Sequence, residues 1–154
     1  MGTKTNIPLL ERFQGCLVGL AVGDALGAPV EFCTQAEIAS RYGRLTELVG
    51  GGWLGLRPGE TTDDTAMMLC IARSIVDRGR FEPEDVARRF LDWFRTRPKD
   101  IGNITRRALE ELERGAPWKR AGLLAHNALG GKSAGNGSVM RCAPIGLLHY
   151  SNRH

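Results

Sequence analysis

The sequence predicts an all-α protein. Apolar residues recur at helical spacing through most of its length, and no segment alternates apolar with polar residues as a half-buried strand would. Capping residues, glycines and prolines punctuate the periodic runs where helices should start and stop.

The first element spans Pro8 to Gly23, with Leu9, Leu10, Phe13, Cys16, Leu17 and Leu20 at helical spacing. Gly15, Gly19 and Gly23 place a stripe without side chains on one face. Because glycine weakens a helix, the stripe predicts a buried helix against which another backbone packs closely. Gly23-Asp24-Ala25-Leu26-Gly27-Ala28-Pro29 should break it. Thr34 and Glu37 form a capping box for a short helix ending near Gly43. A glycine-rich loop over residues 44–60 precedes a helix from about Asp63 to Arg78, which carries Met68, Ile71 and Ile75 on one face and ends at Gly79. Pro83 suits the first turn of the next, whose stripe is Val86, Phe90, Trp93 and Phe94. Asn103 can cap a helix ending by Gly115, and Trp118 to Leu129 reads as a further one. A second flexible loop, Gly130 to Ser138, leads into Val139 to Tyr150, where Pro144 would interrupt a helix. Chemistry is thereby placed in loops at helix ends.

At 154 residues, with 42% hydrophobic and 25% charged residues, the chain has the composition of one soluble globular domain or part of one. No apolar stretch is expected to reach membrane-spanning length and no secretory signal opens the chain, which makes the cytoplasm the expected location. Cys16, Cys33, Cys70 and Cys142 are far apart and mostly within apolar runs, so they read as buried small hydrophobes. His126, His149 and His154 lack metal-ligand spacing, which argues against zinc. The net charge of +4 comes from scattered basic residues interleaved with acids, predicting a solvated surface and no nucleic-acid partner.

Three segments carry candidate chemistry. Thr62-Asp63-Asp64-Thr65 opens the third helix directly after a glycine-rich loop. Its side chains offer only oxygen, the ligand that Mg²⁺, Mn²⁺ and Ca²⁺ require. The same residues are favoured helix caps and dipole partners, and for the quartet taken alone that is the stronger reading. In the second segment Asp24 reads as turn chemistry, bonded to a nearby amide. Glu31, between Val30 and Phe32, is either solvent-facing or held for a task. In the third, the amides of the Gly130 to Ser138 loop, with Ser133, Asn136, Ser138, Lys132 and Arg141, could hold phosphate oxygens or form a mobile linker. The loop lacks the residue order of a P-loop.

In combination these segments resemble the ADP-ribosylglycohydrolase family. The resemblance rests on Gly15-x-x-x-Gly19-x-Ala21-x-Gly23-Asp24-Ala25-x-Gly27, Glu31-Phe32, Thr62-Asp63-Asp64-Thr65, Asp100-Ile101-Gly102-Asn103 and Gly135-Asn136-Gly137-Ser138-x-Met140-Arg141-x-x-Pro144-Ile145-Gly146, in that order. It implies a compact, orthogonal helical fold and a hydrolase that removes ADP-ribose from modified protein side chains or small conjugates. Two divalent cations, Mg²⁺ or Mn²⁺, are implied, with Thr62, Asp63 and Asp64 as ligands. Water activated there would attack the distal ribose, with Glu31, Asp63 and Asp64 as the catalytic carboxylates and Glu31 as the acid/base or gating group. Gly102, Ser133, Gly135, Asn136 and Gly137 would line the ADP-ribose cleft, while Thr65 would support the helix start.

The family's second acidic motif, Asp-x-Asp-Asp-Thr, has no counterpart here, since Asp63-Asp64 is the only such pair. Residues 1–154 are therefore expected to be the amino-terminal half of a single domain, truncated, proteolysed or split. Alone, this half is expected to bind metal poorly and to be inactive unless a carboxyl-terminal segment or second chain completes it. It is also expected to leave exposed part of the stripe at Met68, Ile71 and Ile75. A non-catalytic ADP-ribose-binding or structural relative is the competing reading.

Overall fold

A computed structural model describes residues 7–151; residues 1–6 and 152–154, His154 among them, lie outside the described residues. Seven α-helices follow in order: α1 Leu9–Gly27, α2 Gln35–Tyr42, α3 Asp63–Arg78, α4 Pro83–Arg95, α5 Asn103–Glu113, α6 Trp118–Ala128 and α7 Ala143–Leu148, with a 3-10 turn at Ala28–Val30 after α1. No strand occurs among the described residues, only an isolated antiparallel bridge between Gly51 and Leu56. The all-α expectation holds.

Most boundaries follow from local chemistry. At α2 the Thr34 hydroxyl accepts from the Glu37 amide at 3.3 Å, and the Glu37 carboxylate accepts from the Thr34 amide at 2.7 Å. Gly79 closes α3 in the left-handed region at φ 67°, which glycine adopts without steric cost. Pro83 sits in the first turn of α4 as predicted. Pro144 also sits in a first turn, so it starts α7 rather than interrupting a longer helix. Gly102, one residue before Asn103, is the N-cap of α5, and Asn103 is already helical.

The core is centred on α3, which packs against α4, α7 and α1, while α5 packs against α4 and α6. Met67 and Met68 are fully buried, and Met67 clusters with Ile101 and Leu109 under half-buried Phe90, Trp93, Phe94, Leu112 and Met140. Each such buried side chain contributes about 1.5–3 kcal/mol. Asp85 is buried at the start of α4, where Arg78 of α3 donates to it at 2.7 Å and Arg89 at 2.5 Å, with Arg88 alongside. This ion cluster ties α3 to α4.

Several expectations are corrected. Helix α1 does not break at Gly23 but runs on to Gly27, with Asp24 inside it. It is not a buried helix: Ala25 is its one buried residue, and Leu10 and Val18 are 68% and 60% exposed. A Cβ added at Gly15, Gly19 or Gly23 would meet nothing within 4 Å, because no described element covers that stripe. The unpartnered apolar surface thus lies on α1, whereas Met68 and Ile71 of α3 are buried and Ile75 is half-buried. The cysteines are not core residues either, as Cys16 and Cys142 are exposed and Cys33 and Cys70 half-buried. By length and composition the Leu9–Val30 stretch, 22 residues with a mean hydropathy of 1.4, is long and apolar enough to cross a membrane, contrary to expectation. Its Asp24 is bonded into the rest of the fold, as the site shows.

Candidate active site

The acidic quartet is held in place from a distance. Thr62 occupies the N-cap position of α3 but makes no side-chain cap bond of its own. The Asp24 carboxylate takes that role from α1. It accepts from the Thr62 amide at 2.9 Å and hydroxyl at 2.8 Å, and from the Thr65 amide at 3.1 Å and hydroxyl at 2.6 Å. Two orphan amides of the first turn are thereby satisfied. Asp24 is not a turn residue bonded to a nearby amide; it clasps α3 across 38 residues of sequence. With Asp24 capping the helix, Asp63 and Asp64 are released from that task. Thr65 supports the helix start, as expected, through the same clasp.

Glu31 follows the 3-10 turn and is solvent-exposed, yet it is also held: the Trp53 indole N–H donates to it at 3.0 Å. Trp53 sits on the glycine-rich loop, which is locked against the 3-10 turn. Gly52, at φ 69°, lies so close that an added Cβ would fall 2.8 Å from Pro29 Cα. Only glycine fits both that backbone and that gap.

Across the cleft, the Gly102 amide donates to Asp63 at 3.3 Å, joining the start of α5 to the start of α3. The loop after α6 folds over the start of α5: a Cβ at Gly135 would lie 3.0 Å from Ile104 Cδ1, and one at Gly137 3.1 Å from Thr105 Oγ1. His126 and Ser133 share a 2.6 Å hydrogen bond that anchors the loop to α6. Among the described residues, the amides of Gly135, Asn136, Gly137 and Ser138 make no backbone hydrogen bond. Arg141 does not point outward with that loop. Its guanidinium packs 5.0 Å over the Phe90 ring and donates to the Met67 sulfur at 2.8 Å.

These elements enclose an open cleft of about 970 Å³. Thr62, Asp63, Asp64, Glu31, Gly102, Ser133, Gly135, Asn136 and Gly137 all line it, so every sequence-predicted site residue meets there. Asp24, Phe32, Trp53, Asp100 and Arg141 join them. Burial, then the carboxylates of Asp24, Asp63, Asp100 and Glu31, push Asp64 up to about 6. Asp63 is raised by burial against the lowering effect of the Gly102 amide, and Asp100 by burial and by Asp63. Burial lowers Arg141 while Asp63 and Asp64 oppose that shift. The floor of the cleft is thus an excess of carboxylate charge.

Oxygen donors with unrelieved mutual repulsion suit a hard cation. Thr62 fits too, since donating its hydroxyl proton to Asp24 leaves its oxygen lone pairs free. Yet among the described residues no three His, Cys, Asp or Glu side chains stand where they could jointly hold a metal ion. The donor type fits; the donor set is partial.

Sequence reasoning missed the Asp24 clasp, because side-chain bonds 38 residues apart leave no local pattern. It also missed Trp53 and Phe32 as cleft residues, although a tryptophan amid glycines is an odd composition for a plain loop.

The family profile described as ADP-ribosylglycohydrolase matches residues 5–154. ADP-ribosyl-[dinitrogen reductase] glycohydrolase of Rhodospirillum rubrum is 43% identical over 141 residues, covering 89% of this chain and 44% of that protein. ADP-ribosylarginine hydrolase Tri1 of Pseudomonas putida strain GB-1 is 38% identical over 153 residues, covering 95% of this chain and 38% of its own length. A solved structure titled ADP-ribosylglycohydrolase-related protein complex superposes with a TM-score of 0.70 at 39% identity, covering 90% of this chain and 42% of that one. The chain therefore spans less than half the length of these relatives.

Proposed function

The chain belongs to the ADP-ribosylglycohydrolase family, and from that membership we propose that it contributes the amino-terminal part of a metal-dependent active site that hydrolyses ADP-ribose from modified protein or small conjugates. The observation that carries the reading is the convergence of all nine sequence-predicted residues on one cleft. Its acidic floor and its free loop amides suit the two ends of a ribose diphosphate.

Each residue has a task its position supports. The amides of Gly135, Asn136 and Gly137 hold diphosphate oxygens. Gly102 and Ser133 bound the sugar, Ser133 being oriented by His126. Thr62, Asp63 and Asp64 hold divalent cation, Mg²⁺ or Mn²⁺, with Asp100 beside them. Bound there, the cation supplies positive charge that fixes sugar hydroxyls and acidifies water. Glu31, exposed at the mouth and fixed by Trp53, moves the proton between water and leaving group. The partial donor set calls for further ligands, from a carboxyl-terminal segment or a second chain. The bare apolar face of α1 gives such a partner a surface to bury.

Calorimetric titration of ADP-ribose into the chain, with and without Mg²⁺ or Mn²⁺, tests this. Cation-dependent binding that is lost in the Asp63→Ala/Asp64→Ala variant is expected once a complementing carboxyl-terminal segment is added, and only weak binding without it. Binding indifferent to cation would favour the second reading, a non-catalytic ADP-ribose-binding relative, whose support is the partial donor set. Absence of binding, even with a complementing segment added, would reject both.

A further inference from the structure

The loop after α6 is tied to that helix through one residue. The His126 carbonyl accepts from the Gly131 amide at 3.0 Å and from the Leu129 amide at 3.3 Å. The His126 ring lies along the loop backbone: a Cβ on Gly131 would stand 3.8 Å from Cε1 and 3.9 Å from Nε2. Gly131 holds φ at 81°, so glycine lets the chain turn back over the ring. That turn brings the Ser133 hydroxyl to His126 Nδ1 at 2.6 Å. Ser133 lines the cleft, and His126 stands behind it, outside the lining residues.

One proton bridges the two atoms, and its two placements have opposite effects at the cleft. If the hydroxyl donates to Nδ1, Ser133 turns only oxygen lone pairs toward a ligand. If Nδ1–H donates to the hydroxyl oxygen, the serine proton is free to point into the cleft. A ribose diphosphate brings charged acceptor oxygens to a cleft whose floor is already rich in carboxylates. The first placement repels it. The second adds a charge-assisted donor beside the loop amides of Gly135, Asn136 and Gly137.

We propose that His126 is a positioning residue that donates Nδ1–H to Ser133, committing the serine proton to a phosphate oxygen of bound ribose diphosphate. This deepens the hydrolase reading and rests on it. The neutral Nδ1–H tautomer and the imidazolium both supply the required proton. The ligand therefore selects one protonation pattern of a side chain it never touches.

Long-range ¹H–¹⁵N spectra of the full chain read this directly, because protonated and unprotonated ring nitrogens resonate far apart. His126→Ala identifies the His126 signals among those of His149 and His154. Metal-free inorganic pyrophosphate is the probe. At saturation Nδ1 of His126 should be protonated. Ser133→Ala and His126→Ala should each weaken binding about tenfold, and the double variant no further than either. The half-buried Trp93 indole signal, unmoved in each variant, reports that the fold is kept. An unprotonated Nδ1 at saturation overturns the proposal, as does a lack of saturable binding. So does a His126→Ala loss that persists in the Ser133→Ala background, which would make His126 a prop for the loop alone. The cation-dependent ADP-ribose titration is scored separately, so failure of this proton placement is distinguishable from failure of the hydrolase reading.

Discussion

Asp64 and Asp24 are both carboxylates in one cleft, and their surroundings give them opposite uses. Asp64 is raised to about 6 by burial and by its acidic neighbours, above the ordinary value of about 3.9. Its protonated form therefore favours the folded state, and that contribution is lost as pH rises through about 6. Asp64→Asn should consequently raise the melting temperature of the metal-free protein at pH 7.5 and change it little at pH 4. The same substitution should weaken Mg²⁺ binding. Asp24 faces four donors, so Asp24→Asn puts an amide N–H where an acceptor is needed. A loss of about 1–3 kcal/mol is expected by chemical denaturation. Faster hydrogen exchange at the Thr62 and Thr65 amides than in α5 should accompany it. The acidic quartet was legible in the sequence because adjacent carboxylates at a helix start are a local pattern. The clasp was not, because its partner lies in another helix.

Helix α3 is the element on which the site depends, and Asp85 secures its far end. Three arginines hold the Asp85 carboxyl well below the usual carboxylate range. A depressed value means stability that is present above the unfolded-state value, near 4, and lost as pH falls further. Asp85→Asn should therefore lower the melting temperature at neutral pH, with the gap to wild type closing in acid. This is the reverse of the Asp64 pattern, and paired thermal scans across pH distinguish the two. Helix positions were largely readable from Thr34, Gly79 and Pro83, since caps and breakers act locally. Burial was not. The apolar spacing of α1 shows which face wants a partner, and only the neighbouring elements decide whether it has one.

The whole molecule is two-sided, with a packed core under α3 and a bare apolar face along α1. Substitutions should sort accordingly. Met67→Ala removes a fully buried side chain and should cost about 2–5 kcal/mol. Val18→Lys, on the open face, should change stability by less than about 0.5 kcal/mol in this chain. Denaturant melts of both check the contrast, and a large loss from Val18→Lys would show that α1 is covered in solution. The clasp from Asp24 to Thr62 also has a consequence for the order of folding. It closes a loop of 38 residues, an entropic cost of about 3 kcal/mol that is met before any bond in the clasp forms. The short-range turns of α3 can therefore appear early, while its first turn, with the two carboxylates, acquires its shape only after α1 docks. Pulse-labelled exchange should find the Thr62 and Thr65 amides protected later than those in the middle of α3.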